Sequence, residues 1–285
     1  MLAIHRRRAA EALLSVGSLL AALLAGPAAG ANNVTGTWSA VTPWPLIAVH
    51  AVLMPDGRVL SYGTDGNGTQ TGIFIYDVWD PSAGLGAGHL TLPNLTNTDI
   101  FCSSQLVLPQ GGNVFIAGGD NWTGTKTTNT GNNNSNLFDY GNNSLTRYNN
   151  MNRSRWYSSS IALLNGEVYT QGGSGGTDLP EIRGTNGVFR LLTGANTSAY
   201  DFMYPRNFIA PDGRVFGYDS NGKMYYVTTS GSGALATAGQ FSGPTANDAS
   251  AAMFRPGRIL QFGGNSNGAV VIDITGAAPT VTATQ

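Results

Sequence analysis

Apolar residues along this chain come in short runs broken by Gly, Pro, Asn and Asp, and past the N-terminal segment no stretch repeats them at the spacing of an amphipathic helix. The pattern predicts short β-strands joined by tight turns. Its clearest copy runs from Asp99 to Gly119, where two apolar strands flank the turn Pro-Gln-Gly-Gly (109 to 112) and a Gly pair closes the unit. The same turn recurs as Met-Pro-Asp-Gly-Arg-Val-Leu (54 to 60), Leu-Asn-Gly-Glu-Val-Tyr (164 to 169), Pro-Asp-Gly-Arg-Val-Phe (211 to 216) and Arg-Pro-Gly-Arg-Ile-Leu (255 to 260). The equivalent residues Val59, Val114, Val168, Val215 and Ile259 lie 55, 54, 47 and 44 positions apart. A period near fifty, with a hairpin and a closing Gly pair in most copies, is that of a kelch-type β-propeller blade. The predicted fold is therefore all-β, with about five four-stranded blades spread over residues 32–285.

The Gly pairs Gly118-Gly119, Gly172-Gly173 and Gly263-Gly264 fit strand ends that turn close to a neighbouring blade. None sits in a strand-to-helix phosphate loop.

The N-terminus follows a different rule. Arg6, Arg7 and Arg8 precede an apolar run from Ala12 to Ala25, and small residues follow through Ala31. This order predicts a secretory signal over residues 1–31, too short in its apolar part to span a bilayer. The mature protein is expected to be secreted, extracellular or periplasmic, with no membrane association after cleavage. Removing the signal leaves 12 basic and 15 acidic side chains, a balance that offers no electrostatic footprint for nucleic acid.

Cys102 is the chain's single cysteine, so no internal disulfide can form. Aligning the blades on their turns places Ala48, Cys102, Tyr157, Tyr204 and Asp248 at equivalent positions, expected to form a ring around a propeller axis. Cys102 and Tyr157 would then be neighbours. Spacing alone leaves two readings, a small buried thiol beside a channel-filling tyrosine or a pair used for chemistry.

The segment Asp99-Ile100-Phe101-Cys102, followed one blade later by Met-Asn-Arg-Ser-Arg-Trp-Tyr-Ser-Ser (151 to 159), resembles the galactose oxidase and glyoxal oxidase family of copper radical oxidases. The looser blade pattern extends the resemblance over most of the mature chain. In that family the matching cysteine and tyrosine are joined by a thioether, and the tyrosine is both a copper ligand and the seat of a radical. The resemblance implies catalytic roles for Cys102 and Tyr157, with Tyr157 as metal ligand and copper with a Cys-Tyr thioether as cofactor. It further implies oxidation of a primary alcohol, aldehyde or carbohydrate by dioxygen, giving hydrogen peroxide.

Three departures from the family accompany this resemblance. Its members complete the copper site with a Tyr-His pair and a further histidine, whereas the mature segment here has only His50 and His89. His50 is expected to be a packed inner-strand residue and His89 a solvated residue of a Gly-rich loop. The family closes its propeller with seven blades, so the five counted here are expected to be the front part of a longer propeller or a degenerate relative. Galactose oxidase stacks a tryptophan over its thioether from a Gly-Gly-Ser-Trp segment. Here Gly175 stands at the tryptophan position, and Trp156 points instead to the glyoxal oxidase branch and small aldehydes.

A second function class remains open. The polar stretch from Asp120 to Asn136 reads as a surface loop, and its Trp122 could serve a non-catalytic propeller that binds glycans or a partner protein.

Overall fold

The computed structural model describes residues 36–264 and 266–284. The expected export segment lies outside them. Residues 36–42 carry no strand, and every sheet falls within residues 43–284.

Five antiparallel four-stranded sheets follow one another along the chain. The first is β1 (Ile47–Leu53), β2 (Val59–Thr64), β3 (Ile75–Trp79) and β4 (His89–Pro93). The second contains β5 (Ser104–Val107), β6 (Val114–Ala117), β9 (Ser135–Asp139) and β10 (Ser144–Arg147), with the small hairpin β7 (Trp122–Thr123) and β8 (Lys126–Thr127) inserted between β6 and β9. The third is β11 (Trp156–Ala162), β12 (Val168–Ser174), β13 (Glu181–Arg183) and β14 (Phe189–Leu191). The fourth is β15 (Arg206–Ile209), β16 (Val215–Tyr218), β17 (Lys223–Thr228) and β18 (Ala234–Gln240). The fifth is β19 (Ser250–Arg255), β20 (Arg258–Phe262), β21 (Ala269–Asp273) and β22 (Thr280–Ala283). Each sheet meanders in sequence order, and all five repeated turns join its first strand to its second.

Side-chain alternation explains why the sheets stack on one another. On β6, Val114 and Ile116 pack against Tyr62 and Val78 of the first sheet, while Phe115 and Ala117 point to the opposite face and meet Val168 of the third. On β16, Val215 joins the cluster of Tyr169 and Ile182, whereas Phe216 and Tyr218 join that of Ile259 and Ile272. A strand with a neighbour on both faces has no polar side, so Val-Phe-Ile-Ala at 114–117 is buried throughout. The core is thus a series of apolar layers between successive sheets, a propeller-like arrangement in which the first strands abut along one side.

The Gly pairs make those junctions possible. Gly118 has φ +75°, and a Cβ there would sit 2.0 Å from the carbonyl oxygen of Arg155 on the next sheet. At Gly172, φ +74°, a Cβ would approach the Phe202 carbonyl oxygen to 2.4 Å. Only a residue without a side chain permits these approaches. The stretch from Asp120 to Asn136 is exposed at its middle, over residues 123–126 and 129–130, as a surface loop should be, but its ends are not. Asp120 and Asn132 are buried, with the Asn132 amide donating to the carbonyls of Asp99 and Asp120, and Ser135 and Asn136 are buried in β9.

Candidate active site

Three consecutive sheets begin their first strands with the same backbone device. Cys102, Tyr157 and Tyr204 have φ +56°, +72° and +46°, a left-handed conformation uncommon for side-chain-bearing residues. In this conformation each amide turns away from its own sheet. The Tyr157 N–H donates to the Cys102 carbonyl at 2.9 Å, and the Tyr204 N–H donates to the Tyr157 carbonyl at 2.8 Å. The Cys102 N–H donates to Nε2 of His50 at 3.1 Å. Of the five positions expected to form a ring, three are thus joined directly. Ala48 and Asp248 are exposed and stand outside this chain of bonds. In the first sheet a register shift between Ile47 and His50 gives the imidazole, rather than the strand backbone, to Cys102.

The side chains converge as the backbones do. The Cys102 thiol feels the hydroxyls of Tyr204 and Tyr157, which offset part of the effect of burial on it. The two tyrosine rings meet edge to face with centroids 5.3 Å apart, and the Trp156 ring lies 4.1 Å from that of Tyr157. Trp156 therefore supplies an indole against Tyr157 although Gly175 leaves the other tryptophan position empty. Burial pushes the Cys102 thiol up to about 11 and the Tyr157 phenol up to about 12, and it raises Tyr204 as well. At neutral pH the cluster is a thiol among phenols, and joining the sulfur to a ring carbon removes two electrons and two protons, so the bond needs an oxidant.

Beneath this cluster lies an ion pair that the sequence did not reveal. Arg155 and Glu181 have fully buried side chains and meet at 2.9 Å, and Arg155 also donates to the carbonyl of Gly172 at 2.7 Å. Its own carbonyl accepts from Gly119 N–H at 2.8 Å. Arg155 therefore anchors the backbone immediately before Trp156 and Tyr157 to both the second and the third sheet. Glu181 had no sequence-visible partner, since 26 residues separate the two.

Asp99 holds the approach to Cys102. One carboxylate oxygen accepts from Phe101 N–H at 2.9 Å and the other from the Trp122 indole. Burial raises its pKa to about 6. The Trp122 ring also packs edge-on against Phe74, so this tryptophan is built into the wall rather than presented as a free stacking surface.

A polar cavity of about 200 Å³ adjoins the cluster, lined by His50, Gln105, Tyr204 and serines of the second and third sheets. Within that wall Ser104 and Ser160 hydroxyls pair at 2.6 Å, and Ser160 pairs with Thr170 at 2.9 Å. The space suits a small polar molecule.

His89 corrects one expectation. It lies in β4, not in a solvated loop, with Nδ1 2.7 Å from Asp77 Oδ2 and its ring edge-on to Trp44. The Gly-rich run before it ends at Gly88, where the chain enters the strand. His50 is buried, as a packed inner-strand residue should be, but its contact with Cys102 makes it part of the site.

The donor set does not make a copper site on its own. Among the described residues no three His, Cys, Asp or Glu side chains converge as metal ligands. Tyr157 offers a phenol, but Nε2 of His50 already accepts the Cys102 amide and His89 is paired with Asp77. Among the described residues no imidazole stands free beside Tyr157.

Comparison with known proteins gives this cluster a setting. No family model matches the chain. In sequence the chain is similar to galactose oxidase. Two galactose oxidases of Gibberella zeae are each 28% identical to it over 261 residues, covering 81% of this chain. The chain spans 36% of the length of these relatives. Among solved structures it is similar to a fungal alcohol oxidase of the AA5 family in complex with copper, at TM-score 0.70 and 18% identity, over 87% of this chain and 56% of that one. That likeness is one of fold. Among the described residues no helix is long and apolar enough to cross a membrane.

Proposed function

We propose that this chain carries the cross-linking half of a secreted copper radical oxidase that converts a primary alcohol or aldehyde, using dioxygen and releasing hydrogen peroxide. In this reading residues 1–31 direct export, and residues 32–285 are five blades of a kelch-type propeller that closes with seven. Tyr157, joined to Cys102, is the redox-active copper ligand. The carrying observation is the backbone bond of 2.9 Å from Tyr157 to Cys102, made between two left-handed turns that set these residues side by side on adjacent sheets. The sequence likeness to galactose oxidase supports the same reaction class.

The chemistry follows from electron count. Oxidising an alcohol to an aldehyde removes two electrons and two protons, which dioxygen takes up as hydrogen peroxide. A single copper ion supplies one-electron steps, so a second one-electron carrier is needed, and a thioether-substituted phenol oxidises more readily than a plain one. This chain's own residues contribute the carrier and its support. Arg155 and the positive-φ backbones fix the Tyr157 ring, Trp156 covers it, and the neighbouring serine-lined cavity admits a small molecule. Gly175 at the tryptophan position, with Trp156 against Tyr157 instead, favours small aldehydes over galactose.

The remaining copper ligands are not among the described side chains, and the proposal assigns them to residues outside this set. A non-catalytic glycan-binding propeller has less support, because Trp122 is committed to Asp99 and Phe74. The deciding experiment is peptide mass analysis of the protein recovered from its host grown with copper. The reading expects the peptides carrying Cys102 and Tyr157 to be joined with loss of two hydrogens. A free thiol at Cys102 in that material would overturn it.

A further inference from the structure

Cys102 is the only residue of the cluster whose amide is held by a side chain. Its neighbours along the arc, Tyr157 and Tyr204, give their amides to backbone carbonyls of the preceding sheet. For Cys102 the preceding sheet is the first, and there the acceptor is the imidazole of His50. Both residues are buried, His50 at 7% and Cys102 at 6% exposure, so if the imidazole is lost the amide is left to whatever water enters from the adjoining pocket.

The histidine is itself held in one orientation and one tautomer. Its ring stacks on Tyr62 with centroids 4.8 Å apart and planes 18° from parallel. Tyr62 in turn bonds the Ser103 hydroxyl at 2.8 Å and Gln105 at 3.1 Å, both on the segment that begins with Cys102. Because Nε2 accepts the Cys102 amide, the neutral ring carries its proton on Nδ1. Burial keeps the imidazole neutral, lowering its pKa to about 4. The first and second sheets are thereby clasped around the left-handed turn at Cys102.

We propose that His50 is a positioning residue for the Cys102–Tyr157 pair: through Nε2 it fixes the left-handed backbone of Cys102 and so aims the thiol at the phenol ring of the next sheet. The inference rests on the proposed cross-link. In that step the S–H bond of Cys102 and the C–H bond ortho to the Tyr157 hydroxyl break and one C–S bond forms. The two protons and two electrons released are taken by dioxygen, giving hydrogen peroxide. The geometric demand falls on the sulfur, because Tyr157 is already fixed by Arg155 and by its bonds on both sides. A Cys102 free to leave its positive-φ conformation would carry the thiol away from the ring.

The test uses protein produced from the complete coding sequence without copper, then given copper and air, with loss of the Cys102 thiol followed over time by labelling. His50→Phe preserves an aromatic ring against Tyr62 but removes the acceptor, and His50→Gln retains a side-chain acceptor. The inference expects thiol loss to slow by about tenfold or more in His50→Phe and to recover most of that in His50→Gln. Near-ultraviolet circular dichroism confirms that the variants compared are folded, and a purely structural role would not produce recovery by glutamine at equal foldedness. Equal rates in wild type and His50→Phe would overturn the role of His50 while leaving the cross-link intact. A wild-type protein that keeps its thiol would instead overturn the proposed function on which the inference rests.

Discussion

The amide of Tyr157 donates to the carbonyl of Cys102 at 2.9 Å, and the same bond recurs one sheet later from Tyr204 to Tyr157 at 2.8 Å. The cysteine and the tyrosine are therefore registered by backbone, independently of what their side chains do. A reaction that joins sulfur to a ring carbon needs both atoms delivered to one place before any bond exists. Here the delivery is a property of sheet stacking, and the rigidity of that stacking rests on junctions with no room to give.

The first expectation concerns such a junction. Gly118→Ala should destabilise the protein by roughly 3 kcal/mol or more, because the new Cβ meets a backbone carbonyl and the residue keeps a positive φ. Gly57 is the control. It has φ +86°, but a Cβ there would meet nothing within 4 Å, so Gly57→Ala should cost only about 1 kcal/mol. Urea unfolding of the two variants separates the contributions, and equal midpoints would show that close approach is not what glycine provides at 118.

The second concerns the buried support of Tyr157. Glu181→Ala leaves the Arg155 guanidinium buried with carbonyl acceptors at Gly172, Gly176 and Leu179 but no counter-charge, a change that typically costs about 3–5 kcal/mol. Glu181→Gln keeps an acceptor for Arg155 and should cost distinctly less. Chemical denaturation measures both. If both variants unfold at the wild-type midpoint, the charge is unimportant and the carbonyl cage alone holds Arg155.

These two sites mark what the sequence could and could not disclose. The repeated turns and Gly pairs exposed the five hairpins, because turn chemistry is local and written in adjacent residues. The same alignment made Cys102 and Tyr157 equivalent in their units, and from equivalence their adjacency follows. It did not reveal Arg155–Glu181 or His50–Cys102, whose partners lie 26 and 52 positions apart with no motif linking them. His50 is also displaced by a register shift in β1, which no counting from the turn anticipates. His89 and the two ends of the Asp120 to Asn136 stretch defy expectation for one reason. Polar residues rich in Gly or Asn look solvated in sequence, yet here buried polar groups meet specific partners such as Asp77 or Asn132.

The third expectation is a pH dependence with two opposing parts. His50 has its pKa lowered from 6.5 to about 4, so between those values the unfolded chain binds a proton that the folded chain refuses, and stability falls as pH falls. Asp99 has its pKa raised from 3.8 to about 6, so across nearly the same window the folded chain binds the extra proton, and stability rises as pH falls. Each shift of about two units corresponds to roughly 3 kcal/mol, and the two nearly cancel in the wild type. Carboxylates whose pKa is lowered by arginine, such as Asp178 and Asp212, lose their contribution only below their ordinary 3.8 and leave this window alone. Asp99→Asn should therefore unmask the histidine, losing roughly 3 kcal/mol relative to wild type as pH drops from about 6.5 to about 4. His50→Gln should do the reverse, gaining on wild type as the medium is acidified. Urea unfolding at half-unit steps of pH reads both differences. If the two variants track wild type in parallel, neither group is perturbed in the folded protein, and the neutral imidazole holding Cys102 must be explained without burial.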